Sequence, residues 1–91
     1  MSWKRVMSLP YRVDFKNDKS HDVLMVLRRS EGDGRNRVWH DGWDVVRREY
    51  IDKIGLGWVN LHYFSGISSA YAKKKALAFA KVYMKKFPGG F

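Results

Sequence analysis

The chain of 91 residues contains no cysteine. This absence excludes a disulfide-bonded scaffold and a cysteine-ligated zinc site, and it is typical of proteins from a reducing compartment. Apolar runs are also short, and none approaches the roughly 18 residues that a membrane-spanning helix needs. The segment after Met1 has no apolar stretch typical of a signal peptide. We therefore expect no membrane partner and a cytoplasmic protein, or a nuclear one in a eukaryote.

Acidic residues are missing from the whole C-terminal part of the chain. Residues 53–91 contain seven lysines and no Asp or Glu, and the net charge of the chain is +9. Six of these lysines lie between Ala70 and Phe87, in a segment whose apolar residues have helical spacing. Exposed helix faces normally carry both signs of charge, so a helix with one sign favours a polyanionic partner.

Catalytic and metal-binding motifs are absent as well. His21, His40 and His62 have no spacing that joins them to each other or to carboxylates as metal ligands. No nucleophile–base pattern occurs, and Gly55-Leu56-Gly57 is too short for a phosphate-binding loop. Because no set of residues in complementary catalytic roles can be assembled, we expect no enzymatic activity, no cofactor and no metal.

The length predicts one domain, residues 1–91, with one modest core. Residues 1–9 have no clear periodicity, and we expect them to be loosely ordered. Residues 88–91, Pro-Gly-Gly-Phe, follow the last helical segment and are predicted to form a flexible tail.

Three segments are predicted to form strands. Residues 11–16 alternate between apolar and polar side chains, residues 23–27 form a short apolar run, and residues 57–64 place Val59, Leu61 and Tyr63 on one face. The tryptophans at positions 39, 43 and 58 are predicted to anchor the core rather than to form a base-stacking surface.

Residues 37–54 allow two interpretations. Asp41-Gly42 between apolar runs is typical of a hairpin turn. However, apolar residues from Trp43 to Ile54 fall at helical spacing, and Gly55 lies where a helix C-cap is expected. We favour a helix from Trp43 to Ile54, because neither face of the hairpin would be purely apolar.

A C-terminal helix is predicted to begin at Ser68 or Ser69 and to run to Phe87, before Pro88. Its apolar stripe should pack on the sheet and leave the lysines exposed. The predicted fold class is α+β: a small, mostly antiparallel sheet of three to four strands packed by this amphipathic helix, with residues 43–54 as a second short helix. The stripe consists of Ala72, Ala76, Phe79, Ala80, Tyr83 and Phe87, with Leu77 and Met84 at its edge.

Residues 68–80 resemble the last helix of double-stranded-RNA-binding domains, in which a small residue and a lysine cluster open an alanine-rich helix after a three-stranded sheet. That family begins with a helix, whereas residues 1–16 contain Pro10 and a strand pattern. In addition, residues 70–72 separate the last turn from the first lysine. We do not assign the chain to this family.

The charge pattern predicts a non-catalytic nucleic-acid-binding protein that contacts backbone phosphates. Lysine is a point charge on a long stem, which suits phosphate oxygens better than base edges. The pattern does not distinguish DNA from RNA. The predicted contacts are Lys73, Lys74, Lys75, Lys81, Lys85 and Lys86 on the helix, with Arg35 and Arg37 from a glycine-containing loop.

The alternative is a small inhibitor or adaptor that binds an acidic surface of a host protein, such as a nucleic-acid-processing enzyme. Viruses and mobile elements encode many short, single-domain proteins of this kind. Interfaces favour aromatic anchors, so Trp3, Phe87 and Phe91 are the candidate partner-binding residues in this case. The oligomeric state is not predicted by either interpretation.

Overall fold

The computed structural model describes residues 2–32, 34–51 and 55–90. Within these ranges the chain forms a five-stranded antiparallel sheet, in the order β1-β2-β3-β4-β5, and one C-terminal α-helix. The α+β class is as predicted, but the sheet has five strands rather than three or four. The elements are β1 (Trp3–Leu9), β2 (Arg12–Asn17), β3 (Val23–Glu31), a 3-10 turn (Gly34–Asn36), β4 (Val38–Ile51), β5 (Gly55–Phe64) and α1 (Ser69–Lys86).

The predicted helix from Trp43 to Ile54 is wrong, because residues 38–51 form the long strand β4. Residues 52–54 lie outside the described residues. Four consecutive side chains of β4, residues 43–46, are buried: Trp43 and Val45 belong to the core under the helix, whereas Asp44 and Val46 lie on the opposite face. A strand that is buried on both faces loses the alternation of apolar and polar residues. Asp41-Gly42 likewise lies within β4 and does not form a hairpin turn.

Strand β1, like β4, is a strand that the sequence pattern does not predict. It pairs with β2 along one sheet edge, and its register shifts between Arg5 and Met7. Trp3 is its one buried residue and the following six are exposed. Such a strand has no period-two pattern, which explains why the sequence predicted loose order for residues 1–9 instead of a strand.

Helix α1 has its predicted N-cap, Ser68, and ends at Lys86, one residue before its predicted end. The Ser68 hydroxyl accepts a hydrogen bond from the backbone N–H of Tyr71 at 3.2 Å. The helix buries a stripe with four-residue spacing, and its three alanines allow a close approach to the sheet. Phe79 and Tyr83 are partly buried beside this stripe, and Met84, predicted at its edge, is buried. The stripe consists of Ala72, Ala76, Ala80 and Met84.

Hydrogen bonds connect the segment after α1 to the start of the sheet. Trp3 Nε1 donates to the carbonyl oxygen of Phe87 at 2.8 Å, and Asn17 Nδ2 donates to that of Pro88 at 3.1 Å. The Gly90 N–H donates to the Phe87 carbonyl oxygen at 3.0 Å. In the predicted tail, Pro88 therefore accepts a hydrogen bond from Asn17 and Gly90 donates one to Phe87. Phe91 lies outside the described residues.

Candidate nucleic-acid interface

The lysines of α1 form two rows on its outer surface. At 3.6 residues per turn, Lys74, Lys81 and Lys85 lie along one side, and Lys75 and Lys86 along the other. All five are exposed. The sixth, Lys73, is half-buried, and its Nζ lies 5.3 Å from the centre of the Trp43 ring system.

No lysine of α1 forms an ion pair with a carboxylate in the described part of the chain. The ion pairs there involve strands and loops instead, so most sheet carboxylates are already neutralised by arginine or lysine. The helix charges therefore remain uncompensated within the described residues, and such a group of like charges favours a positive potential over this side of the molecule. These ion pairs are Lys4–Asp18, Arg12–Asp14, Arg28–Asp41 and Arg29–Asp44, and the His40 Nε2 lies 3.3 Å from the Glu31 Oε1.

A pocket of about 230 Å³ lies between the C-terminal half of α1 and the edge of the sheet formed by β1 and β2. Its apolar floor consists of Trp3, Phe15 and Met84, each of which is only 7 % exposed. Three cations line its rim: Arg5, Lys81 and Lys85. The Arg5 Cζ lies 5.5 Å from the centre of the Phe15 ring. In this pocket, Lys81 and Lys85 of the lysine rows on α1 therefore lie directly beside an apolar surface.

Arg5 was not among the predicted contacts. Its strand has no periodicity that indicates its position, and only the fold brings β1 beside the helix. The two predicted lysines at the pocket, Lys81 and Lys85, are one helical turn apart, and together with Arg5 they form a cluster of three cations.

The predicted loop arginines, Arg35 and Arg37, lie at the end of the sheet where α1 begins. Trp43 also lies at this end of the sheet, because its Nε1 donates a hydrogen bond at 3.0 Å to the hydroxyl of Ser69, the first residue of α1. Both arginines are exposed, and the Arg37 Cζ lies 5.4 Å from the centre of the Trp39 ring system. They belong to the same end of the molecule as Lys73–Lys75, whereas Lys81, Lys85 and Lys86 lie towards the other end.

The partner-binding candidates lie in different surroundings. Trp3 is a core residue at the floor of the first pocket and is 7 % exposed, whereas Phe87 is 36 % exposed. Phe87 borders a second groove, of about 300 Å³, on the β5 side of α1. Phe91 lies outside the described residues. The groove is lined by Phe79, Val82, Tyr83, Lys86 and Phe87.

The sheet face opposite α1 carries no covering element among the described residues. Asp44 is held there by two hydrogen bonds from Arg29 and one from Asn60 Nδ2 at 2.8 Å. The Arg29 Cζ lies 3.7 Å from the centre of the Tyr63 ring. Hydrogen bonds to Asp14 and Asp44 raise the pKa of Arg12 and Arg29 respectively, so both guanidinium groups stay charged at neutral pH.

Only one of the three tryptophans predicted as core anchors is fully buried. Trp43 is 1 % exposed, whereas Trp39 is 37 % and Trp58 is 51 % exposed. Trp58 pairs with Arg48 on the uncovered sheet face, and Trp39 packs against Tyr11 with a ring separation of 5.2 Å. Tryptophans on this sheet therefore contribute to both its core and its surface.

No family model, no curated protein and no solved structure matches the chain. Across the described residues, no three or more His, Asp and Glu side chains are grouped as metal ligands would be. Their single α-helix is not apolar enough to span a membrane. The case for a function therefore depends on the geometry and charge of the surface.

Proposed function

We propose that the protein binds nucleic acid, without catalysis, through contacts between the lysines of α1 and backbone phosphates. One observation carries the proposal: the lysine rows are exposed and form no ion pair within the described residues. A polyanion supplies the missing counter-charge and releases condensed cations when it binds, which favours association.

The length of the lysine face fits several phosphates at once. From Lys74 to Lys85 the helix rises about 16 Å at 1.5 Å per residue. Phosphates of one B-DNA strand follow each other at about 3.4 Å along the axis, so this distance corresponds to about five steps. Lysine heads on flexible stems adapt to such a row without fixed geometry. Because phosphates are common to both polymers, the proposal includes DNA and RNA, in a cytoplasmic or nuclear setting.

A second candidate function is docking on an acidic protein surface. The observation that favours it is the groove bordered by Phe87, where exposed aromatic and aliphatic side chains lie next to the Lys86 ammonium group. Such a combination of an apolar centre and a charged border is typical of protein interfaces. Phosphate binding accounts for more of the charge, because the lysines cover both sides of the helix and not only this groove.

Charge reversal on the helix tests the primary proposal. Lys81→Glu with Lys85→Glu should weaken binding to every duplex sequence alike, while thermal stability changes little because both side chains are exposed. Lys16→Glu with Lys19→Glu is the matched control, since it changes the charge equally at exposed positions outside α1. Equal losses in both double variants would show that only net charge matters and would contradict a helix interface.

A further inference from the structure

The pocket bordered by Arg5, Lys81 and Lys85 has a chemical character that phosphate binding alone does not use. Its floor consists of aromatic and thioether groups, and its rim carries three positive charges. The single N–H donor of the Trp3 ring already donates to the Phe87 carbonyl oxygen. The floor therefore favours contact with an apolar part of a ligand, while the rim favours an anionic group on the same ligand.

A bound water molecule is a poor occupant of this floor. Buried water needs two to four polar partners, and Trp3, Phe15 and Met84 supply none towards the pocket. A flat ring gains from leaving water and contacting these side chains. Inorganic phosphate matches the rim but leaves the floor exposed to solvent, so the best ligand combines a ring with an attached phosphate.

The size of the pocket restricts the ligand further. At about 230 Å³ it is smaller than sites for drug-sized ligands, which begin at roughly 300 Å³. It matches one ring system rather than a stack of bases. A guanidinium group also stacks on ring faces, and the Arg5 side chain is exposed above Phe15.

We propose that this pocket takes one unpaired nucleobase from a bound single strand, while the Arg5 guanidinium group stacks on that base and Lys81 and Lys85 contact the adjacent phosphates. This inference rests on the proposed nucleic-acid binding and adds a substrate class to it. A base in an intact duplex is paired and stacked, so a single strand or an unpaired nucleotide fills the pocket at a lower cost in free energy. The protein then binds single strands more tightly than phosphate contacts alone allow.

A strand without bases tests this inference on the wild-type protein. We compare a short oligothymidylate with an abasic deoxyribose-phosphate strand of equal length, at the same salt concentration. The phosphates are identical, so the pocket predicts that the abasic strand binds roughly tenfold more weakly. Equal affinity for the two strands would overturn the base pocket and leave phosphate binding intact, whereas no binding of either strand would overturn both.

Two variants with the same change in charge locate the effect. Arg5→Gln removes a rim cation above Phe15, and Lys74→Gln removes an exposed cation that does not line the pocket. We expect Arg5→Gln to bring the affinity for oligothymidylate close to that for the abasic strand. Lys74→Gln should weaken both strands by the same factor and preserve the difference. A difference that survives in Arg5→Gln would place the base elsewhere and overturn the assignment of this pocket.

Discussion

The indole N–H of Trp3 donates a hydrogen bond to the carbonyl oxygen of Phe87 at 2.8 Å, across 84 positions of the chain. It joins the first residue of edge strand β1 to the residue that follows α1. The same Trp3 ring forms part of the floor of the basic pocket. This bond therefore fixes the end of the lysine-bearing helix against the sheet and connects the stability of the fold with the shape of the proposed site.

Replacing Trp3 separates the contribution of the hydrogen bond from that of the ring. Trp3→Phe removes the donor and leaves an aromatic ring, so we expect a loss of about 1 kcal/mol in the free energy of unfolding. Trp3→Ala also empties a core position and should cost about 3–5 kcal/mol. Denaturant melts of both variants measure these values. A Trp3→Phe variant as unstable as Trp3→Ala would show that the hydrogen bond, and not the ring, provides most of the stability.

Two alanines of α1 test which face of the helix packs on the sheet. Ala76 is fully buried, whereas Ala78 is exposed. Ala76→Leu should destabilise the protein by about 1–3 kcal/mol, because the added carbons overpack the contact with the sheet. Ala78→Leu is the matched control and should change stability by less than about 0.5 kcal/mol. Equal effects in thermal melts would mean that the helix is rotated from the described orientation and that the lysine rows are misplaced.

Strand β4 provides a test of close packing between neighbouring strands. A Cβ atom at Gly42 would overlap the Tyr63 hydroxyl group, so Gly42→Ala must displace this ring. Tyr63 also packs against the Arg29 guanidinium group, and we expect a loss of about 1–3 kcal/mol. In a Tyr63→Ala background the same substitution should cost much less, because the clash is gone. A double-mutant cycle with no coupling would contradict the described contact.

The fold was predictable for those elements whose pattern of apolar residues reflects burial on a single face or in a continuous run. Strand β2 has alternating apolar side chains, β3 has a continuous apolar run and α1 has one buried stripe, and these patterns predict their positions. The position of β5 is also predicted, but its predicted face is wrong, because Leu61 packs against the core whereas Tyr63 lies on the opposite face beside Arg29. Residues 43–46 face both the helix and an arginine–aspartate network, so their burial obscures the strand period. Strand β1 buries only Trp3, so its pairing depends on β2 and not on its own pattern.

The candidate site was predictable only in part for the same reason. The lysines are local features of one helix, so their pattern predicts an exposed basic face. The pocket joins Arg5 of β1 and Phe15 of β2 to Lys81 and Lys85, and these residues are brought together by the tertiary structure alone. The sequence names Trp3 as a candidate anchor only for the alternative function of docking on a protein, and in the structure this side chain is a core residue at the floor of the pocket.

Removal of the last four residues distinguishes phosphate binding from docking on a protein. Residues 88–91 carry no cationic side chain, so truncation after Phe87 should leave affinity for nucleic acid unchanged. It removes the carbonyl group that accepts from Asn17, and we expect a loss of about 1 kcal/mol in stability. Retained nucleic-acid affinity together with lost capture of an acidic protein partner would favour the inhibitor function.

The salt dependence of binding to a random-sequence duplex tests the central claim most directly. If the lysine face neutralises about five or six phosphates, the slope of log affinity against log salt concentration should be about −4.5 to −5.5 on B-DNA. Fluorescence anisotropy of a labelled duplex at several salt concentrations measures this slope. The account predicts a steep linear decrease that becomes shallower by nearly two units in the Lys81→Glu, Lys85→Glu variant. A flat dependence, or no binding at about 50 mM salt, would contradict phosphate binding by α1.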